Sequence, residues 1–231
     1  MAATRTRPGE VRRRDAAASR QAILDAAELL FAQRGFDGAS LGEIGRRAGV
    51  SAALPAYFFG GKDGLYEAVI ERLLAERERR LGPVAAAAAA QLERTGELRP
   101  ALERLIDGYI DFLRERSALV RLMGREALDG GRRLGPGPRH SVAVEAGLAR
   151  FVRSLAPRPG PSVDPEQLLI SAVALCFFPI EHNDTMLAAM GLDATSEPFA
   201  AARKRHVVDV LERVLAGGAA PTGDGAPAGG A

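Results

Sequence analysis

The sequence predicts an all-α protein. Apolar residues recur three and four positions apart through most of the chain, no segment sustains the two-residue alternation of a half-buried strand, and glycine and proline clusters fall at helix-length intervals. At 231 residues the chain can bury a substantial core and has room for a small module attached to a larger one.

The first helix is expected over residues 17–34, with Ile23, Leu24, Ala27, Leu30 and Phe31 on one face and Gly35 at its stop. Ser40-Leu41-Gly42-Glu43 is a capping-box pattern, in which hydroxyl and carboxylate satisfy free amides at a helix start, so a short helix should follow over 41–48. Gly49 can take the left-handed backbone of a tight turn, and Ser51 is placed to cap another short helix over 51–58. Gly60-Gly61 ends that helix. A long helix then begins at Lys62 or Asp63 and runs to about Leu81, with Gly82-Pro83 as its stop and Leu65, Ala68, Val69, Ile70 and Leu73 as its packing stripe.

Further helices are expected over 84–95, 99–115, 118–128, 142–156, 165–190 and 197–216. The alanine run 85–90 is low in complexity but high in helix propensity and reads as helix. Asp129-Gly130-Gly131 through Gly135-Pro136-Gly137-Pro138, and Pro157-Arg158-Pro159-Gly160-Pro161, read as loops. Residues 217–231 are glycine, alanine and proline with little bulk to bury, and are expected to be a disordered tail.

Composition narrows the function classes. No apolar run approaches the roughly 20 residues needed to cross a bilayer, and no apolar stretch of a secretory signal follows the arginine-rich start, so a cytoplasmic protein without a membrane partner is expected. A lone cysteine, Cys176, lies in the apolar run Leu175-Cys176-Phe177-Phe178 and reads as a buried thiol. The net charge of +2 does not by itself announce nucleic acid, but its distribution is uneven. Six arginines (5, 7, 12, 13, 14 and 20) stand against Glu10 and Asp15 in the first 20 residues, a basic arm of the kind that lies along phosphates.

Residues 40–59 read as helix, glycine turn, helix, braced by the helices before and after. This helix-turn-helix arrangement allows the second short helix to enter a DNA major groove, while helix starts and Lys62 anchor phosphates. The run Ser40-Leu41-Gly42-Glu43-Ile44-Gly45-Arg46-Arg47-Ala48-Gly49-Val50-Ser51 resembles the Thr-x-x-x-Ile-Ala-x-x-Ala-Gly-Val-Ser of the TetR family. Tyr57-Phe58-Phe59-Gly60-Gly61-Lys62-Asp63-Gly64-Leu65 is similar to that family's Tyr-x-Phe-x-x-Lys-Glu-x-Leu. With the helix ending Phe31-Ala32-Gln33-Arg34-Gly35-Phe36, the resemblance covers residues 18–70; beyond that it is one of layout only.

The resemblance implies a three-helix helix-turn-helix head joined by a long helix to a helical-bundle domain for ligand binding and dimerisation. It divides the chain into a basic disordered arm (1–16), a DNA-binding head (17–62), a body (63–216) and the tail. It implies a homodimeric transcriptional repressor that binds a palindromic double-stranded DNA operator and is released by a small-molecule effector of unknown identity. Ser51, Ala52, Ala53, Leu54, Ala56 and Tyr57 would face or border the major groove, Lys62 would hold phosphate and Ser40 would cap the second helix beside the backbone. Pro55 and Ala56 depart from the family's usual aliphatic residue and tyrosine, so base reading would lean on Tyr57, thymine-methyl contacts and DNA shape.

Candidate walls of a ligand cavity are Tyr109, Phe112, Met123, Glu126, Phe177, Phe178 and His182, bulky apolar groups with a few polar ones. The dimer is expected through the last two long helices, on stripes formed by Leu168, Leu169, Val173, Val207, Val208, Leu211 and Leu215. A DNA-binding helical protein without an effector is the alternative. A helical enzyme is a remoter one, since no nucleophile elbow and no glycine-rich phosphate loop is present. Glu181-His182-Asn183-Asp184 gathers ionisable groups, but neighbours on a helix point in different directions, so neither a metal nor a cofactor is expected.

Overall fold

The computed structural model describes residues 8–134, 148, 150, 151, 154 and 164–215, apart from the side chains of 8–14, 165 and 166. Among these residues every regular element is helical: α1 (Pro8–Arg34), α2 (Leu41–Arg47), α3 (Leu54–Phe59), α4 (Lys62–Thr95), α5 (Leu98–Glu115), α6 (Ser117–Leu128), α7 (Pro165–Glu181), a π-helical turn (Asn183–Leu187) and α8 (Glu197–Leu215). The all-α expectation therefore holds.

The head is built around α1 and the first turns of α4. Ile23, Ala27, Leu30 and Phe31 from α1 meet Ile44 of α2 and Leu65, Tyr66 and Val69 of α4, all fully buried. Each aliphatic or aromatic side chain removed from water contributes about 1.5 to 3 kcal/mol, which is how so small a module holds its short helices. Phe31 and Phe36 both meet the Tyr66 ring edge-on, at centroid distances of 5.0 and 5.3 Å. In the body, α5 lies between α4 and α8, and α7 closes over α5, α6 and α8. Arg99 pairs with Asp209 and Glu212, and Lys204 with Asp111, fastening α8 to α5 at its rim.

Several boundaries differ from the sequence reading. Helix α1 starts at Pro8 rather than near 17, so residues 8–16 of the expected disordered arm are helical; residues 1–7 lie outside the described part. The expected break at Gly82-Pro83 does not occur, and α4 runs for 34 residues with Pro83 inside it. Proline there removes one backbone bond on the exposed side, whereas Leu81, Gly82, Ala85, Ala88 and Ala89 on either side are buried and hold the helix to the core. The helix expected over 165–190 ends instead at Glu181, and the chain passes through His182 into the π-helical turn. Of the helix expected over 142–156 only residues 148, 150, 151 and 154 are described, all helical, and the tail from 217 lies outside the described residues.

Pro179 interrupts the hydrogen bonding of α7, because it has no N–H to give the carbonyl of Leu175. The Arg203 guanidinium of α8 takes over that carbonyl, donating from Nε at 2.9 Å and from Nη2 at 2.6 Å. Sequence reasoning overlooked both residues.

Candidate functional site

The head presents α2 and α3 on its outer side. Ser40 Oγ accepts the Glu43 N–H at 3.2 Å and so caps α2, as the capping pattern predicts. The reciprocal half of the box is absent: the Glu43 carboxylate turns to Arg34 at 2.7 Å. Between the helices Gly49 has a φ of +70°, a left-handed value that costs glycine nothing. Gly45 faces the turn so closely that a Cβ there would lie 3.0 Å from the Ser51 carbonyl oxygen, which sets the close packing of the two helices.

Helix α3 begins at Leu54, later than predicted, and Ser51 does not cap it with its side chain. The Ser51 carbonyl instead accepts the Leu54 N–H at 3.1 Å, closing a turn through Ala52 and Ala53. Pro55 occupies the first turn, where its missing N–H has no intrahelical partner to lose, and is itself buried. Ser51, Ala52, Ala53 and Ala56 are exposed, and Tyr57 is 81% exposed; Leu54 is half-buried against the head's core. Tyr57 is thus the large side chain of α3 most available to a partner, since Leu54, Phe58 and Phe59 are half-buried.

Lys62, the first residue of α4, is half-buried. Its Nζ lies over the Phe36 ring, 4.5 Å from the centroid, and donates to the Asp37 carbonyl at 3.4 Å. Arg133 covers the Phe36 ring as well, at 4.1 Å. The ammonium is thus held beside the loop between α1 and α2 at the start of α4, the helix end whose free amides attract anions.

Polar contacts tie α4 and α6 to the head and to each other, from the exposed rim to the buried core. Arg72 of α4 donates to Asp25 and Glu28 of α1. Arg116, between α5 and α6, pairs with Glu76 of α4, and Arg125 of α6 donates to the Gln33 carbonyl of α1 at 3.0 Å. The Tyr66 hydroxyl of α4 reaches Glu126 of α6 at 2.7 Å.

A cavity of about 360 Å³ lies in the body. It is lined by Arg77, Leu81, Val84 and Ala85 of α4, Leu102, Leu105, Ile106 and Tyr109 of α5, Leu148 and Phe151, Leu168, Leu169, Ala172 and Val173 of α7, and Leu211 and Leu215 of α8. Of the ligand residues predicted from sequence only Tyr109 lines it. Phe112 is buried beneath the Arg80 guanidinium, 5.4 Å from ring centroid to cation, and Glu126 is buried on Tyr66. Met123 and Phe177 pack against the core, while Phe178 is 41% exposed and stacks on His182 at 4.1 Å. Sequence reasoning missed Arg77 and the aliphatic walls; a charged residue in register with Leu73, Leu81 and Val84 on a long helix was the available signal.

Burial raises the Tyr109 phenol well above its usual range, with Cys176 adding to the rise and Arg77 opposing it. Cys176 is buried and its thiol is pushed up to about 12, opposed by Arg203. No cluster of three or more His, Cys, Asp or Glu side chains able to hold a metal occurs among the described residues. His182 keeps its Nδ1 3.2 Å from the Phe178 carbonyl, and the side-chain oxygen of Asn183 accepts the Ala194 N–H at 2.7 Å. Among the described residues no helix is long and apolar enough to cross a membrane.

Residues 23–69 match the family model described as bacterial regulatory proteins, tetR family, and residues 99–211 match the tetracyclin repressor-like C-terminal domain. Over 75 residues the chain is 40% identical to the HTH-type transcriptional regulator BetI of Brucella suis biovar 1, covering 32% of this chain and 38% of that protein. Over 63 residues it is 43% identical to the HTH-type transcriptional regulator RutR of Escherichia coli K12, covering 27% and 30%. The matched stretch thus spans between 30% and 38% of these relatives' own length. In overall fold the chain is similar to a protein of Mesorhizobium loti MAFF303099 assigned to the TetR family (TM-score 0.59, 21% identity, 87% of this chain and 96% of that one). It is also similar to a TetR-like transcriptional regulator from Rhodococcus sp. RHA1 (TM-score 0.58, 21% identity, 86% and 96%). With its helix-turn-helix head and the helical body behind it, the chain belongs to the TetR family of transcriptional regulators.

Proposed function

We propose that the protein is a ligand-responsive repressor that binds a palindromic operator as a homodimer and releases it when a small molecule fills the body cavity. The supporting observation is the continuity of α4. Its first turn carries Lys62 beside the helix-turn-helix, and its middle supplies Arg77, Leu81, Val84 and Ala85 to the cavity wall. A molecule that favours a shifted α4 moves the head with it, and two heads on one duplex must keep a spacing of about one DNA turn.

In this reading residues 17–62 form the DNA-binding head and 63–216 the effector and dimerisation body. Tyr57 and the exposed backbone and methyl groups of Ser51, Ala52, Ala53 and Ala56 meet the major groove, with Leu54 at its border. Lys62 and the Ser40 end of α2 meet phosphates. The dimer forms through α7 and α8. Of the stripes expected from sequence, Val173 is exposed, whereas Leu168, Leu169 and Leu215 line the cavity and Val207, Val208 and Leu211 are buried within the protomer. Ile170, Val173 and Phe178 on α7 and Val214 on α8 are the large apolar side chains left exposed there.

The test is selection of duplex DNA from a random pool, followed by mass measurement of the complex. Symmetric half-sites and two chains per duplex are expected. A single asymmetric site filled by one chain would refute the dimeric reading.

A further inference from the structure

Given the reading that the cavity receives the effector, we infer that this effector is an amphiphile with one anionic head, a medium-chain carboxylate whose chain fills the aliphatic cavity and whose carboxylate pairs with Arg77. Two of the sixteen lining residues, Arg77 and Tyr109, carry polar side-chain atoms, and none carries a negative charge. Among the described residues the remaining wall is hydrocarbon, so a ligand must present hydrocarbon to it.

Arg77 is set apart from its neighbours on α4. Arg72, Arg79 and Arg80 each have carboxylate partners, whereas Arg77 has no ion pair among the described residues, and its Nε is buried without a hydrogen-bond partner. A buried donor on a permanent cation is costly to leave unmade, and a planar carboxylate meets a guanidinium with two parallel hydrogen bonds. A neutral alcohol or amide cannot supply the missing charge. A cationic head would be repelled, and a dianion would bring one charge more than the single arginine compensates.

Tyr109 supplies the second polar group. It stands near enough to Arg77 for that charge to act on its phenol. Its hydroxyl has no hydrogen-bond partner among the described residues, and burial keeps the proton on, so it can donate to the second carboxylate oxygen or its water. The volume limits the chain. A cavity of about 360 Å³ has room for a chain of about 8 to 12 carbons.

The experiment is isothermal titration of the full-length protein with decanoate, decanol, decyltrimethylammonium and decanoyl-coenzyme A, each below its micelle concentration. Decanoate should bind at least about tenfold more tightly than the other three. Arg77→Met should abolish the preference for decanoate over decanol while leaving decanol affinity within about threefold, and Arg77→Lys should restore part of it. Ala172→Trp, which fills the cavity, should remove decanoate binding, with circular dichroism as the folding control for every variant. Decanol binding as tightly as decanoate, or the thioester binding more tightly, overturns the head-group inference and leaves the cavity reading standing. Decanoate binding that survives Ala172→Trp overturns the inference by placing the ligand elsewhere. Failure of all four probes to bind the wild-type protein overturns the inference together with the cavity reading.

Discussion

The Tyr66 hydroxyl donates a 2.7 Å hydrogen bond to the Glu126 carboxylate, and both side chains are buried. The bond joins α4 to α6 at the level of the head, where the other oxygen of Glu126 accepts the Arg133 backbone N–H at 3.3 Å. Tyr66→Phe therefore strands a buried carboxylate oxygen and should lower stability by about 1 to 3 kcal/mol. Urea unfolding at fixed protein concentration checks this. Pairing Tyr66→Phe with Glu126→Leu should cost less than the sum of the two single changes, and strict additivity would mean that the two groups do not act together.

Arg203 should matter to stability through one backbone carbonyl. Arg203→Met leaves the Leu175 oxygen without its two donors, at a cost of about 1 to 3 kcal/mol. Pro179→Ala returns an N–H to that oxygen, so Arg203→Met should cost measurably less in the Pro179→Ala background. Equal losses in both backgrounds, by chemical denaturation, would show that Arg203 acts elsewhere.

Cys176 should resist alkylation in the folded protein. Burial raises its thiol to about 12 despite the opposing Arg203 charge, so at pH 8 almost none is thiolate, the reactive form. Mass spectrometry after iodoacetamide should find it unmodified in the native state and modified in guanidinium. Rapid native labelling would contradict the buried placement.

Much of this fold is legible in the sequence, and the failures have physical causes. Ser40 caps α2 and glycines 35, 49 and 60 end turns and helices because each meets a local backbone requirement that neighbours cannot overrule. Gly82-Pro83 and Pro179 mislead because a stop signal is local, while burial of the flanking residues or a donor such as Arg203 from a distant helix can offset one missing bond. The exposed Tyr57 is legible as a candidate contact, since it is the one large polar-tipped residue of α3. The cavity walls are not. Periodicity finds Phe112 and Leu102 alike as inward-facing, and only the packing of α5 against four other elements decides which meets open space.

The claim on which the account rests is that α3 and the start of α4 read DNA. Tyr57→Ala combined with Lys62→Ala tests it in a fluorescence anisotropy titration against a duplex selected by the wild-type protein. Loss of one groove contact and one charge-assisted phosphate contact should together cost about 2 to 5 kcal/mol, a drop in affinity of roughly 30-fold to several-thousand-fold. Tyr57 is 81% exposed, so its removal leaves the core untouched, and the loss of the Lys62 contact with Phe36 should cost the head about 0.5 to 1 kcal/mol. The account predicts a folded variant, with a wild-type circular dichroism spectrum, that no longer holds the duplex. A folded variant with wild-type affinity would contradict it and remove α3 from the DNA-reading surface.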